Sequence, residues 1–250
     1  MTTHAMVTGG GTGIGLAIAR ALAARGHAVT ILGRSEETLA AASPSLPGGD
    51  HEICDVTDDA SVASALARAE AARGPVRILV NNAGAVATAA FEKTTMEAWS
   101  ASLEVNLLGA VRMIRAALPS LRGHDWARIV NVASTAGLKP YPYVSPYVAA
   151  KHALVGLTRA LALELAATGV TVNAVCPGYT GTAIVERAIE TIAARTGRDR
   201  EAAEAVFTSS NPQGRLVTPE EVANAVAWLA SPEASAVNGV ALSVSGGEIG

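Results

Sequence analysis

The feature that most constrains this chain is a regular alternation of short apolar runs with longer segments of helical spacing. The runs are HAMVT (4–8), AVTIL (28–32), HEIC (51–54), VRILVNN (76–82), ARIVNVAS (127–134), VTVNAVC (170–176) and VALSV (240–244). Continuous Val, Ile and Leu without polar alternation is what strands buried on both faces require. Helical stretches lie near 13–25, 35–43, 58–73, 95–122, 146–168, 183–207 and 219–230. Strict alternation of strand and helix predicts an α/β fold, a parallel sheet wrapped on both faces, because right-handed crossovers place the helices there. No Pro/Ser-rich linker or composition break divides the 250 residues, so 1–250 reads as a single domain.

Helix starts are marked by caps. Thr94 with Glu97, and Thr218 with Glu221, have capping-box spacing. Thr218-Pro219 and Ser145-Pro146 each place proline at the first helical position, where its missing N–H is harmless. The second start puts Tyr147 in the first turn of its helix, with Lys151 one turn deeper on the same face.

Charge excludes one class of partner. The 19 basic and 22 acidic residues nearly balance, and no basic block occurs, which argues against nucleic acid. The five histidines form no HxxxH cluster and the two cysteines no CxxC, so no metal site is expected. Cys54 and Cys176 lie in apolar runs and read as buried free thiols, which suits a reducing compartment. MTTHAMVTGG runs directly into a strand without a signal-peptide pattern. No apolar run is long enough to span a bilayer. A soluble cytoplasmic protein without membrane contacts is expected.

The first strand leads into TGGGTGIG (8–15) and then a helix. Glycines in a strand–turn–helix context let the backbone approach a diphosphate, and the helix N-terminus adds free N–H groups. Gly9, Gly10, Gly11, Gly13 and Gly15 do not fit G-x-G-x-x-G; Thr8, Gly9, Gly13 and Gly15 fit T-G-x-x-x-G-x-G. After the second strand, Gly33 and Arg34 stand where an acidic residue would bond the ribose hydroxyls of NAD. A small residue beside a guanidinium favours the 2′-phosphate of NADP, with NAD the alternative.

Taken in order, TGGGTGIG, CDV (54–56), NNAG (81–84), VNLLG (105–109), NVAS (131–134), SPYVAAK (145–151) and NAVCPGYTGT (173–182) resemble the short-chain dehydrogenase/reductase family. The likeness covers nearly the whole chain. It implies a doubly wound Rossmann-type sheet of seven parallel strands in the order 3-2-1-4-5-6-7. It also implies catalytic roles for Ser134, Tyr147, Lys151 and Asn106. Thr8, Gly9, Gly13, Ile14 and Gly15 match the diphosphate turn. Gly33 and Arg34 fall at the adenosine ribose, and Asp55 and Val56 at the adenine. Asn82, Ala83 and Gly84 match the stretch supporting the cofactor sugar, where Tyr147 and Lys151 also belong. Pro177, Gly178 and Thr182 match the segment beside the nicotinamide.

The chemistry implied is reduction of a ketone or oxidation of a secondary alcohol. Tyr147 would exchange the proton, with Lys151 and the oxidised nicotinamide lowering its pKa. Ser134 would bind the substrate oxygen, and Asn106 a water on the proton path. Asn106 acting only on its own helix backbone is the other reading of that residue.

In the family, the segment matching 183–212 is a mobile lid; here it reads as two helices split at Thr196-Gly197-Arg198. Its Arg195, Arg198 and Arg200 either meet an anionic carrier or lie on a solvated face with Glu190, Glu201 and Glu204. LKPYPYV (138–144) leads to the helix of Tyr147, and its Tyr141 and Tyr143 either line the pocket or pack the loop. The region 131–178 is similar to bacterial ketoreductases, which points to a β-ketoacyl or cyclic hydroxyacyl thioester of coenzyme A or a carrier protein. The loop after NNAG lacks the Pro-Gly-Gly run of the aromatic polyketide ketoreductases. A homotetramer is implied, assembled through helices 95–122 and 146–168, whose leucines 154, 157, 161 and 165 form a stripe beside small residues; the other reading is that this stripe packs only on its own sheet. The alternatives are an NADP-binding sensor or scaffold without turnover, or an epimerase or lyase on the same fold.

Overall fold

The computed structural model describes residues 2–249. The strands β1 (His4–Thr8), β2 (Ala28–Gly33), β3 (Asp50–Ile53), β4 (Val76–Asn81), β5 (Ala127–Val132), β6 (Val170–Pro177) and β7 (Ala241–Val244) form one sheet. Their order is β3-β2-β1-β4-β5-β6-β7, and every neighbouring pair is parallel. All carboxyl ends therefore share one edge. The order reverses between β1 and β4, which opens the crevice where such sheets bind ligands.

Alternate strand residues feed two cores. On one face Ala5, Val7, Val29, Ile31 and Val80 pack beneath α1 (Gly13–Ala24) and α9 (Pro219–Leu229) through Ile18, Leu22, Val222 and Val226. On the other face Met6, Leu32, Leu79 and Ile129 pack beneath α3 (Asp59–Arg73), α5 (Gly109–Arg122) and α6 (Ser145–Glu164). Each fully buried Leu, Ile or Val contributes about 1.5–3 kcal/mol. The expected leucine stripe belongs to this core: Leu154 and Leu165 are buried, and Leu157 and Leu161 pack on them from the rim.

One polar chain crosses this apolar interior. Asn81 and Asn131 face each other in register, and Asn81 Nδ2 donates to Asn131 Oδ1 at 2.9 Å. Asn131 Nδ2 donates to Thr158 Oγ1 at 2.9 Å, and Thr158 donates to Leu154 O at 2.8 Å. The chain ties β4 and β5 to α6, the helix carrying Tyr147 and Lys151.

Three expected boundaries shift. The cap of α4 (Met96–Leu103) is Thr95, which accepts from Ala98 N at 3.2 Å, while Thr94 donates to Ala90 O. A 3-10 turn at Phe91–Lys93 occupies Thr94 and moves the cap on by one residue. The box at Thr218 forms as predicted, with Glu221 N to Thr218 Oγ1 at 3.2 Å and Thr218 N to Glu221 Oε2 at 2.8 Å. The helix expected over 95–122 is broken by a π turn at Glu104–Leu108. The helix carrying Tyr147, α6, takes Val144 as its cap, so Pro146 is its second residue, still among the first four N–H positions that need no helical partner. Between β6 and α9 lie α7 (Ala183–Thr196), ended by left-handed Gly197, and α8 (Arg200–Thr208). The short α2 (Glu36–Ala42) follows β2.

Candidate active site

The glycine turn is shaped by close backbone approach. Gly9 and Gly13 adopt φ of +63° and +51°, and a Cβ on Gly15 would collide with Gly9 O. Thr8 fastens the turn to β4: its hydroxyl accepts from Asn82 N at 2.9 Å and Ala83 N at 3.0 Å. Asn82 Nδ2 answers by donating to Thr8 O at 3.0 Å and Gly9 O at 3.2 Å. Thr8 and Asn82 are thus struts of the cradle. Ile14 packs on the core below.

Distant segments close around it. Thr182, cap of α7, has its methyl 3.4 Å from where a Gly13 Cβ would be. Pro177 ends β6, and Gly178 N donates to Val244 O at 3.0 Å. At the other end, Gly33 ends β2 and exposed Arg34 borders a hollow with Thr57, Glu104, Val105 and Arg112. Asp55 Oδ1 accepts from Thr57 N at 2.9 Å and Thr57 Oγ1 at 2.8 Å. Those two bonds hold its carboxyl below the usual range, with help from Arg34 and Arg112. Val56 is buried against Gly109. The cradle left clear by its glycines, with an exposed arginine at the end of β2, fits a dinucleotide.

The other residues named from sequence meet beyond the end of β5. Ser134 sits in the turn after the strand and accepts from Ala136 N at 3.0 Å. Tyr147 stands half-buried in the first turn of α6. Lys151 is 4% exposed; its Nζ donates to Val132 O at 2.9 Å and lies 5.6 Å from the Tyr147 ring centre. Burial drives the Lys151 pKa down to about 8. Burial also raises the Tyr147 phenol, against the opposing pull of Ser134. The expected lowering of Tyr147 by Lys151 is therefore not met in the protein alone, where desolvation dominates both groups.

Asn106 is almost fully buried in the π turn. Its Oδ1 accepts from Ala85 N at 3.1 Å, and its Nδ2 donates to Ala85 O at 2.8 Å and Ser102 O at 3.0 Å. Its amide is committed to backbone, both of its own helix and of the strap after β4. Gly84 threads between Asn106 and Lys151: a Cβ there would lie 2.8 Å from Asn106 Oδ1 and 3.6 Å from Lys151 Nζ.

A family model described as short chain dehydrogenase matches residues 3–193. The chain belongs to the short-chain dehydrogenase family. It is 42% identical, over 97% of its length and 95% of the relative's, to a Streptomyces virginiae protein assigned as the ketoacyl reductase of monensin polyketide synthase. It is 39% identical to the D-beta-hydroxybutyrate dehydrogenase of Cupriavidus necator, over 97% of this chain and 96% of that one. The crystal structure of a single-substitution variant of actinorhodin polyketide ketoreductase with NADPH superposes with a TM-score of 0.93 at 39% identity, covering 99% of this chain and 97% of that one. As a short-chain dehydrogenase, the protein is a nicotinamide-dependent oxidoreductase of ketones and alcohols. Among the described residues no helix is long and apolar enough to cross a membrane, and no cluster of metal-ligating side chains occurs.

Sequence reasoning missed one group. Glu248, its side chain 1% exposed, receives Lys139 Nζ at 2.7 Å and the Tyr141 hydroxyl at 2.5 Å. Of the two tyrosines expected to line the pocket or pack the loop, Tyr141 packs, edge-on to Tyr179, while Tyr143 is 61% exposed with φ +66°. The only sequence signal for Glu248 is the Gly246-Gly247 pair before it, which marks a sharp turn.

Proposed function

We propose that this short-chain dehydrogenase reduces a β-ketoacyl thioester with NADPH. The observation that carries the reading is the meeting of Ser134, Tyr147 and buried Lys151 at one end of the crevice, with the glycine turn at the other. Thr8, Gly9, Gly13, Ile14, Gly15, Asn82, Ala83 and Gly84 would hold or brace the cofactor's phosphates and sugar. Arg34 would hold the 2′-phosphate, Asp55 and Val56 the adenine, and Pro177, Gly178 and Thr182 the nicotinamide. That cofactor supplies the hydride.

The chain's own part is orientation and the proton. Ser134 orients the substrate oxygen toward Tyr147, whose hydroxyl donates the proton at that oxygen. A phenol held protonated by its surroundings is the right state for an acid in the reducing direction. Lys151, with Val132 O on one side and Tyr147 on the other, is placed to pass a proton onward. Because the Asn106 amide is occupied, Asn106 acts by fixing the Ala83–Ala85 strap and the π turn.

The thioester assignment rests on likeness to ketoreductases. The lid supplies weaker support: Arg200 is already paired with Glu186 at 2.5 Å, leaving Arg195 and Arg198 exposed for an anionic carrier. We assign residues 183–212 as that lid and 1–250 as one catalytic domain. Assembly as a homotetramer is supported by α4, which has no buried residue and exposes Met96, and by Ala149, Ala153 and Gly156 on the outer face of α6.

The test is oxidation of NADPH and NADH, in parallel, with acetoacetyl-CoA, free acetoacetate and simple cyclic ketones. Reduction of the thioester, faster with NADPH, is expected. Tyr147→Phe should lower kcat by about 10²–10⁴ while binding NADPH as the wild type does. Full activity of Tyr147→Phe, or preference for the free acid, would overturn the corresponding part.

A further inference from the structure

Glu248 lies where three segments of the site meet. The tail reaches it through Gly246 and Gly247, at φ of +62° and +96°, which fold the chain back after β7. Asn211 and Pro212, just beyond α8, press on these glycines: a Cβ on Gly246 would collide with the Asn211 amide, and one on Gly247 would stand 3.3 Å from Pro212. The carboxylate then faces inward. Its Oε1 takes Lys139 Nζ at 2.7 Å and the Tyr141 hydroxyl at 2.5 Å. The Tyr141 oxygen also lies 2.7 Å from Thr135 Oγ1, on the residue after Ser134. Oε2 stands 2.9 Å from where a Gly178 Cβ would be. Tyr141 meets Tyr179 edge-on at 6.0 Å, and Tyr179 meets Phe207 of α8 at 5.1 Å. Lys139, Tyr141 and Ser210 together keep the carboxyl ionised despite its burial.

A buried carboxylate held in this way is not a surface ion pair of negligible effect. It joins the loop after Ser134, the segment at Gly178 and the foot of the two-helix lid. We propose that Glu248 is a positioning residue that latches the lid foot and the Ser134 loop into one substrate wall. The proposal rests on the assignment of Ser134, Tyr147 and Lys151 as the site. Among the described residues, no hydrogen bond or ion pair joins Glu248 to any of the three. Its effect runs through Lys139, Tyr141 and Thr135 on one side and Asn211 and Pro212 on the other. Loss of the latch loosens the substrate wall and leaves the glycine cradle, at the far side of the crevice, intact.

The experiment uses the full chain and Glu248→Gln, which keeps the shape and removes the charge. Hydrogen exchange should rise in both 135–144 and 205–216, with no change over 4–24. With acetoacetyl-CoA and NADPH, KM for the thioester should rise about tenfold, the scale of a lost hydrogen bond to a charged group, with KM for NADPH, held mainly by the glycine cradle, and kcat each changed far less. Lys139→Met should raise the same KM, and the double variant should be no worse than the worse single. Exchange confined to the last few residues would overturn the latch, as would equal losses in KM and kcat that track thermal stability. Additive single effects would do the same. Tyr147→Phe separates the two levels: if it keeps full activity, the site assignment has failed, whereas a dead Tyr147→Phe beside an unaltered Glu248→Gln removes only the latch.

Discussion

Replacing Thr8 by Val tests whether the cradle depends on a single hydroxyl. The change is nearly isosteric, so packing against Val80 and the turn is kept. What is lost is the acceptor for Asn82 N at 2.9 Å and Ala83 N at 3.0 Å, and a longer donation to Val80 O at 3.4 Å. Thr8 itself is 2% exposed, but Asn82 and Ala83 are only partly buried, so water can reach their N–H groups in part. A buried unsatisfied donor costs about 1–3 kcal/mol, and the lower end applies to each here, for a total of about 2–3 kcal/mol. In a chain of this size that is a fall of about 5–10 °C in Tm. Asn82 also loses its register on Gly9 O, so NADPH affinity should fall by about tenfold for each 1.4 kcal/mol of cradle distortion. Urea denaturation and cofactor titration of Thr8→Val and Thr8→Ser check this. Thr8→Ser keeps the oxygen and should stay within about 1 kcal/mol of the wild type, since it loses only a methyl. Equal destabilisation by both variants, or none by Thr8→Val, would refute the strut.

Lys151→Met should stabilise the cofactor-free protein while abolishing turnover. Burial lowers the folded-state pKa from 10.5 to about 8, about 3 kcal/mol at 1.36 kcal/mol per unit, offset by about 1 kcal/mol for the orphaned Val132 carbonyl. The unfolded chain holds the extra proton between those two values, so wild-type stability rises with pH through that window and the gap closes toward pH 10.5. Denaturation at about pH 7 and about pH 10, on either side of most of that window, reads the difference. Arg34→Ala should raise KM for NADPH about tenfold or more, as for a lost charge-assisted bond, and leave NADH nearly unaffected. Gly156→Arg adds a charge where nothing lies within 4 Å of a Cβ; light scattering should show a smaller assembly with the fold retained by circular dichroism.

Most of the frame was legible because it is written locally. Unbroken Val and Ile runs identify strands buried on both faces, and all seven fall within two residues of the expected bounds. Glycine spacing at 9, 13 and 15 marks a close backbone approach, and Tyr147 and Lys151 lie one helical turn apart in any register. What escaped depends on contacts over long separations. The commitment of Asn106 to Ala85 decides how that side chain acts, yet nothing at 106 encodes it. Glu248 meets Tyr141 across 107 positions, too far for any periodicity to register. The balance of burial against charge at Lys151 and Tyr147 also needs the folded surroundings, where desolvation raises the Tyr147 phenol in the protein alone.

The polar chain from Asn81 through Asn131 to Thr158 has a consequence for uniqueness. Apart from Pro146, Lys151 and Thr158, the buried face of α6 is built from Ala, Leu and Val, residues that pack almost as well if a helix slides by one turn. A slide of that size would carry Tyr147 and Lys151 about 5.4 Å along the sheet without exposing much apolar surface. It would, however, take Thr158 from the buried Asn131 amide and Val132 O from the buried Lys151 ammonium, leaving both without partners. A few polar atoms thus exclude the near-degenerate alternatives that an oily interface would tolerate.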